Sequence, residues 1–389
     1  MNMKIKRNTI LKFMFFLLFL FTCFQNFTLI NFGEFGFKYS HFMSLFFLPL
    51  LLKKGKIKIP IASLNIFMIF VIVFSIIMIP FNSFNSLLFN YIFSYYYLII
   101  IGSIGEYLDF DDWTGIIKSV AEIVIIATVI KIIINIDLFV IFFKNPANHP
   151  MIKTFFGGGV NLEATWIGLF GFFFIGDKKG YIYSILSIII AVLYASRVGI
   201  IVSVFLLLFM ILQKNNIESI VKRQNRIIIG FILGIFAFVF AFSQGYLDYI
   251  INRFADTGED TGSQGRLAMW QYLIPAFLDS PFGVGLGNGM QQLEKVSGVS
   301  FPDGNMHNLI FQMLVETGVV GLILYLNVVF KFIKAEYKNF FCNPCIAYII
   351  SYLILSLIQF RGGDALLFFV IGVYLQKFNK KKVEEKKNA

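Results

Sequence analysis

Apolar residues run in long blocks along this chain, and short polar clusters punctuate them. The blocks fall near 10–30, 39–52, 61–80, 84–104, 116–136, 161–176, 181–195, 198–212, 227–243, 307–330, 345–359 and 364–376. Runs such as Ile66–Ile79 do not alternate, as a barrel strand facing lipid must. Lipid offers no partner to an unpaired backbone group, so continuous apolar stretches of ~20 residues predict spanning helices. The pattern predicts an all-α integral membrane fold of about twelve transmembrane helices, a single polytopic domain over residues 1–389. One polar interruption is much longer than the rest, residues 244–306, from Gln244 to Met306. Within it Tyr246, Leu247, Ile250, Ile251 and Phe254 recur at helical spacing, as do Leu267, Trp270, Ile274 and Phe277. These predict short amphipathic helices at the membrane interface. Ser263 is placed to cap the second segment and Pro275 to bend it.

Composition agrees with the pattern. With 58% hydrophobic and 14% charged residues, the chain lacks the polar surface of a soluble domain. A net charge of +11 taken alone would suit nucleic acid, but the positions of the charges argue against it. Lys53, Lys54, Lys56 and Lys58, then Lys178 and Lys179, then Lys214, Lys222, Arg223 and Arg226, then Lys331, Lys334 and Lys338 fall on alternate connections. The tail 377–389 adds six more lysines. Such asymmetry orients a membrane protein with these segments and both termini in the cytoplasm, and the long loop outside. The first block follows Lys4, Lys6 and Arg7 like a signal peptide. No small-residue cleavage site follows it, so it reads as a retained first helix. Cys23 reads as a small hydrophobe, and Cys342 with Cys345 lacks the second pair of a structural zinc site.

Candidate chemistry gathers at the outer face. Gly283-Val284-Gly285-Leu286-Gly287-Asn288-Gly289 permits tight turns and close approach, and its successive amides could cradle an oxyanion or form a plain turn. No Lys-Ser/Thr follows, so it is no P-loop. His307, followed by Asn308, opens a span and could accept a proton or simply hydrogen bond at the interface. His41 and His149 have no obvious chemical setting. Arg197 lies in a short turn, Ala195-Ser196-Arg197-Val198-Gly199, between two apolar blocks, as an interfacial anchor or an anion contact. Arg266 precedes Trp270 by one helical turn, and a guanidinium offers phosphate a rigid fork of donors. Glu122 and Lys131 look isolated within one span, free to snorkel, pair or relay protons. No cluster of ligand-type residues surrounds His307, so no metal is expected.

These pieces together resemble the bacterial O-antigen polymerase and O-antigen ligase superfamily. The resemblance is carried by Gly265-Arg266-Leu267-Ala268-Met269-Trp270, Ser280-Pro281-Phe282-Gly283-Val284-Gly285-Leu286-Gly287, His307-Asn308 and Glu316-Thr317-Gly318 with Gly321, and by the Ser196-Arg197 turn. It implies a GT-C-like helical fold in the bacterial inner membrane. It also implies glycan transfer at the periplasmic face from an undecaprenyl-diphosphate carrier, without cofactor or metal. His307 would be the catalytic base, and Arg197 and Arg266 would bind the donor diphosphate. Asn308, Glu316, Gly285 and Gly287 are candidate supporting residues. A polymerase, which extends a carrier-linked repeat unit, is the leading expectation. A ligase, which attaches finished glycan to lipid A-core, is the alternative, and a transporter or flippase is a further one. Candidate partners are the carrier-linked glycan, membrane lipids, a chain-length regulator and a flippase, with no nucleic acid.

Overall fold

The computed structural model describes residues 2–32, 35–55, 57–58, 61–144, 152–177, 179–212, 261–301, 305–340, 343–359 and 362–388. The expected span at 227–243, the segment Tyr246–Phe254, His149 and Cys342 lie outside these residues. The chain divides into two compact units, one of Met1–Val120 with Gln264–Ala389, the other of Ala121–Ser263. Two helices, Ser86–Tyr107 and Leu309–Asn339, are long and apolar enough to cross a membrane. Shorter apolar helices of 10–17 residues accompany them, as in a membrane protein.

In the first unit α1 (Asn2–Cys23) leads into strands β1 (Thr28–Phe32) and β2 (Phe35–Lys38). The strands pair antiparallel, with Ile30 opposite Phe37 and a register shift between Thr28 and Ile30. The expected helix over 10–30 therefore ends at Cys23, and the fold is not purely helical. The short alternation from Thr28 to Lys38, rich in aromatic and β-branched residues, favours strand. The block at 39–52 also divides, into α2 (Tyr39–Leu45) and α3 (Leu48–Lys54). Pro49 explains the break, since its ring would clash with the Leu45 carbonyl in a continuous helix, whereas the first turn of α3 tolerates it.

Next come α4 (Ala62–Met78), α5 (Ser86–Ile104) and the start of α6 (Phe110–Ile134), which crosses into the second unit. The second unit continues with α7 (Ile136–Lys144), α8 (Gly159–Gly171), α9 (Gly180–Leu193) and α10 (Arg197–Leu212). The chain returns to the first unit through α11 (Thr261–Trp270), α12 (Leu273–Asp279) and α13 (Gly289–Ser297). Helices α14 (Leu309–Glu336), α15 (Pro344–Leu355) and α16 (Ala365–Asn388) complete it, α16 running on through the basic tail.

In the first unit Gly363 lies against Leu87 and Tyr91, and Gly372 against Ile101, so α16 and α5 run parallel. Tyr374 donates from its hydroxyl to Glu336 at 2.6 Å, and Lys54 and Lys58 both pair with Glu106. The ends of α3 and α5 thus share one polar layer. In the second unit Gly168 meets Val202 and Gly199 meets Ala164, so α8 and α10 also run parallel at close range. Without a hydrophobic drive between helices in lipid, such small residues let backbones approach and gain dispersion contacts.

Helices α11 to α13 form a cap with its own core of Met269, Leu273, Ala276, Val284, Leu293, Met306 and Val315. Met269, Leu273 and Ala276 point inward, while Leu267 and Ile274 stay 62% and 57% exposed. Helix α11 stops at Trp270 and α12 restarts at Leu273, because Pro275 would clash with the carbonyl of Gln271 in an unbroken helix. Ser263 lies inside α11 rather than ahead of it. On the cap's surface the Lys295 ammonium, 2.8 Å away, holds the Asp279 carboxyl below its ordinary range.

Candidate functional site

The site in the first unit is built on a break in α14. Gly318 has φ +66° and ψ −170°, a conformation essentially reserved for glycine, and it interrupts the helix after Thr317. The break frees the Val315 and Glu316 carbonyls and the Val319 amide from their helical partners. Segment 281–285 replaces those partners. Val284 N donates to the Val315 carbonyl at 3.2 Å, Gly285 N to the Glu316 carbonyl at 2.8 Å, and Val319 N to the Pro281 carbonyl at 3.3 Å. A Cβ on Gly283 would stand 2.6 Å from Gly318 N, so only glycine lets the two backbones meet. Irregular backbone within a membrane span is tolerated only when protein satisfies it in this way.

The glycine-rich stretch is thereby a joint. The amides of Gly283, Val284, Gly285 and Leu286 all donate within the protein, the last to Ser75 Oγ at 3.1 Å. These amides are committed, so the alternative of a plain turn describes them better than an oxyanion cradle. The loop after α4 clamps the joint from the other side. Asn82 Nδ2 donates to the Val284 carbonyl at 2.9 Å and Asn85 Nδ2 to the Gly287 carbonyl at 3.1 Å. Gly285 and Gly287, at φ +88° and +80°, support this turn, and Leu286 inserts into the core shared by α4, α5 and α14. Sequence reading missed Asn82 and Asn85. Their only signal was a polar pair in a short connection, which any interface loop can carry.

Glu316 is buried beneath the joint. Gln312 Nε2 donates to its Oε1 at 3.0 Å, and a Cβ on Gly289 would lie 3.2 Å from that oxygen. Its backbone and side chain both meet the glycine-rich segment, which makes it a structural centre of the site.

His307 precedes α14 with φ +53°, the left-handed region that a non-glycine residue seldom adopts. Its amide donates to Asn305 Oδ1 at 2.7 Å, and the residue is partly buried at the helix entrance, with the ring Nδ1 enclosed. Asn308 caps α14, accepting from Phe311 N at 3.1 Å, and Leu309 N donates to the Ser356 carbonyl at 2.8 Å. The turn is held from the cap as well. Trp270 Nε1 donates to the Met306 carbonyl at 2.8 Å, and its ring meets Phe311 edge-on at 5.4 Å. Arg266 lies one turn earlier on α11 and shares the face of Trp270. The cap thus brings the Arg266 segment to the residue before His307.

Asn308 is expected to act as a cap rather than in the chemistry. Asn308→Ala should cost about 1 kcal/mol of stability, within a range of roughly 0.5–2, whereas Asn308→Asp keeps the acceptor. Thermal unfolding of the purified variants should separate them. Loss of turnover in Asn308→Asp at an unchanged melting temperature would show instead that the amide touches substrate.

Arg197 belongs to the second unit. It is the first residue of α10, whose amino end already favours anions. Ser196 caps that end, with Gly199 N donating to its Oγ at 3.1 Å. Glu122 and Lys131 are not isolated. Glu122 accepts from Tyr183 and from Lys179, and Lys131 pairs with Glu163.

Residues 182–326 match a family model described as O-antigen ligase. That segment holds Arg197, Arg266, the glycine-rich joint, His307 and Glu316. No curated protein matches the chain significantly.

Proposed function

We propose, from the place in the O-antigen ligase/polymerase superfamily that residues 182–326 support, that the protein is a glycan polymerase working at the outer face of a bacterial inner membrane. The donor is a repeat-unit glycan on undecaprenyl diphosphate, and the acceptor is a second carrier-linked unit. His307 accepts the proton of the acceptor hydroxyl as its oxygen attacks the donor anomeric carbon. The bond to the diphosphate breaks, the anomeric centre inverts, and undecaprenyl diphosphate leaves. Arg266 is a proposed contact that offsets the charge developing on that leaving group, and Arg197, at the amino end of α10, is proposed to bind diphosphate. Both termini lie in the cytoplasm on this reading, with the cap outside.

The observation that carries the reading is the His307 turn, held in a left-handed conformation and gripped by the helix that carries Arg266. A strained, externally braced residue is the arrangement expected of a positioned reactive group. Ligase activity is the second reading, favoured by the description of the matching family. Deleting the gene in its Gram-negative host distinguishes the two. Lipopolysaccharide bearing a single repeat unit is the expected result. Loss of all O-antigen from lipid A-core, with carrier-linked polymer accumulating, would replace polymerase by ligase.

A further inference from the structure

The second unit contains a buried polar centre that the proposed chemistry does not use. Glu163, on the first turns of α8, is wholly buried. Its Oε1 accepts from Tyr194 Oη at 2.8 Å and pairs with Lys131 Nζ from α6, while its Oε2 accepts the Phe155 amide. Lys131 Nζ lies 4.4 Å from the Phe155 ring centre and 5.8 Å from that of Tyr194. Tyr194, also fully buried, stacks on Phe139 of α7 at 5.8 Å. One carboxylate therefore ties together four separate pieces of chain.

A buried ion pair is a poor device for stability alone, since desolvation offsets most of its attraction and an apolar pair can do as well. What the pair does here is geometric. Tyr194 ends α9, and Ala195 follows at φ +47°, in the left-handed region. The strained residue is flanked by two fixed points. Before it, the Tyr194 hydroxyl is held by Glu163. After it, Ser196 Oγ donates to the Asn161 carbonyl at 3.2 Å, also on α8. Arg197 comes next, so α8 grips the turn on both sides of Ala195 and fixes where α10 begins.

We infer that Glu163 and Tyr194 are positioning residues for Arg197, with Lys131 balancing the charge of Glu163. The inference rests on the proposed role of Arg197 at the donor diphosphate. It gives Lys131 and Glu163 a shared task that neither proton relay nor snorkelling would.

The test uses the full-length protein in lipid nanodiscs, with undecaprenyl diphosphate and undecaprenyl monophosphate as probes. The readout is the ratio of the two affinities, beside the melting temperature. Tyr194→Phe keeps the ring on Phe139 and removes only the hydroxyl. It should lower the preference for diphosphate about three- to tenfold, in line with the loss of one buried hydrogen bond. Glu163→Gln should do the same, and Lys131→Met combined with Glu163→Gln should regain stability without regaining the preference. Arg197→Ala should abolish the preference. If Arg197→Ala abolishes it while Tyr194→Phe and the double variant keep it, the positioning role is wrong and the reading of Arg197 stands. The positioning role is equally wrong if these variants lower only the melting temperature. If Arg197→Ala itself keeps the preference, the diphosphate role of Arg197 falls, and the positioning role falls with it.

Discussion

His307→Asn is expected to stop glycan transfer while leaving the protein folded. Asparagine is among the few residues that tolerate the left-handed conformation found at 307, so the turn at φ +53° survives the exchange. Its amide cannot serve as a base near neutral pH. Losing a positioned general base lowers turnover by about 10²- to 10⁴-fold. The measurement is in vitro extension of a lipid-diphosphate-linked repeat unit, with donor binding and melting temperature recorded on the same samples. His307→Ala tests a different sum, since it adds the strain of a left-handed alanine to the loss of the imidazole. Wild-type turnover in His307→Asn would remove the base from the mechanism and leave His307 as a turn residue.

Gly318→Ala is expected to have the largest effect on stability. The backbone at Gly318 lies where L-residues carry a steric penalty, and the new Cβ would collide with the Phe282 backbone, which cannot swing aside like a side chain. Strain and overpacking together should cost about 3 kcal/mol. Relief requires the joint to part, releasing the Val284, Gly285 and Val319 hydrogen bonds together. Turnover should therefore fall with stability, although Gly318 touches no reacting group. Gly265→Ala in α11 supplies the contrast, because nothing lies within 4 Å of its Cβ position and alanine favours helix. Equal melting temperatures for Gly318→Ala and wild type would mean that the joint is not built as described.

Gly318 and Gly265 looked alike in the sequence. Gly265, Gly283, Gly285, Gly287 and Gly318 all belong to the motifs that carry the family resemblance, yet they do different work. Gly265 faces open space. Gly283 and Gly318 exist for each other, thirty-five positions apart in the chain. Asn308, a candidate supporting residue beside His307, caps α14.

What the sequence determined by itself was whatever depends on local pattern. Apolar block length predicted helices, and most of the described helices fall where blocks do, because a helix satisfies its own backbone and needs no distant partner. The tight turn at Arg197 and the helical character of residues 261–297 were legible for the same reason. Pro49 and Thr28–Lys38 were local signals too, but a reading by hydrophobicity alone passed over them. The tertiary structure alone decided which distant groups complete one another. The break at Gly318 is stable only because residues 281–285 supply its missing hydrogen bonds, and Lys131 is tolerated only because Glu163 meets it. Such pairings depend on packing between helices far apart in the chain, and no spacing within one segment encodes them.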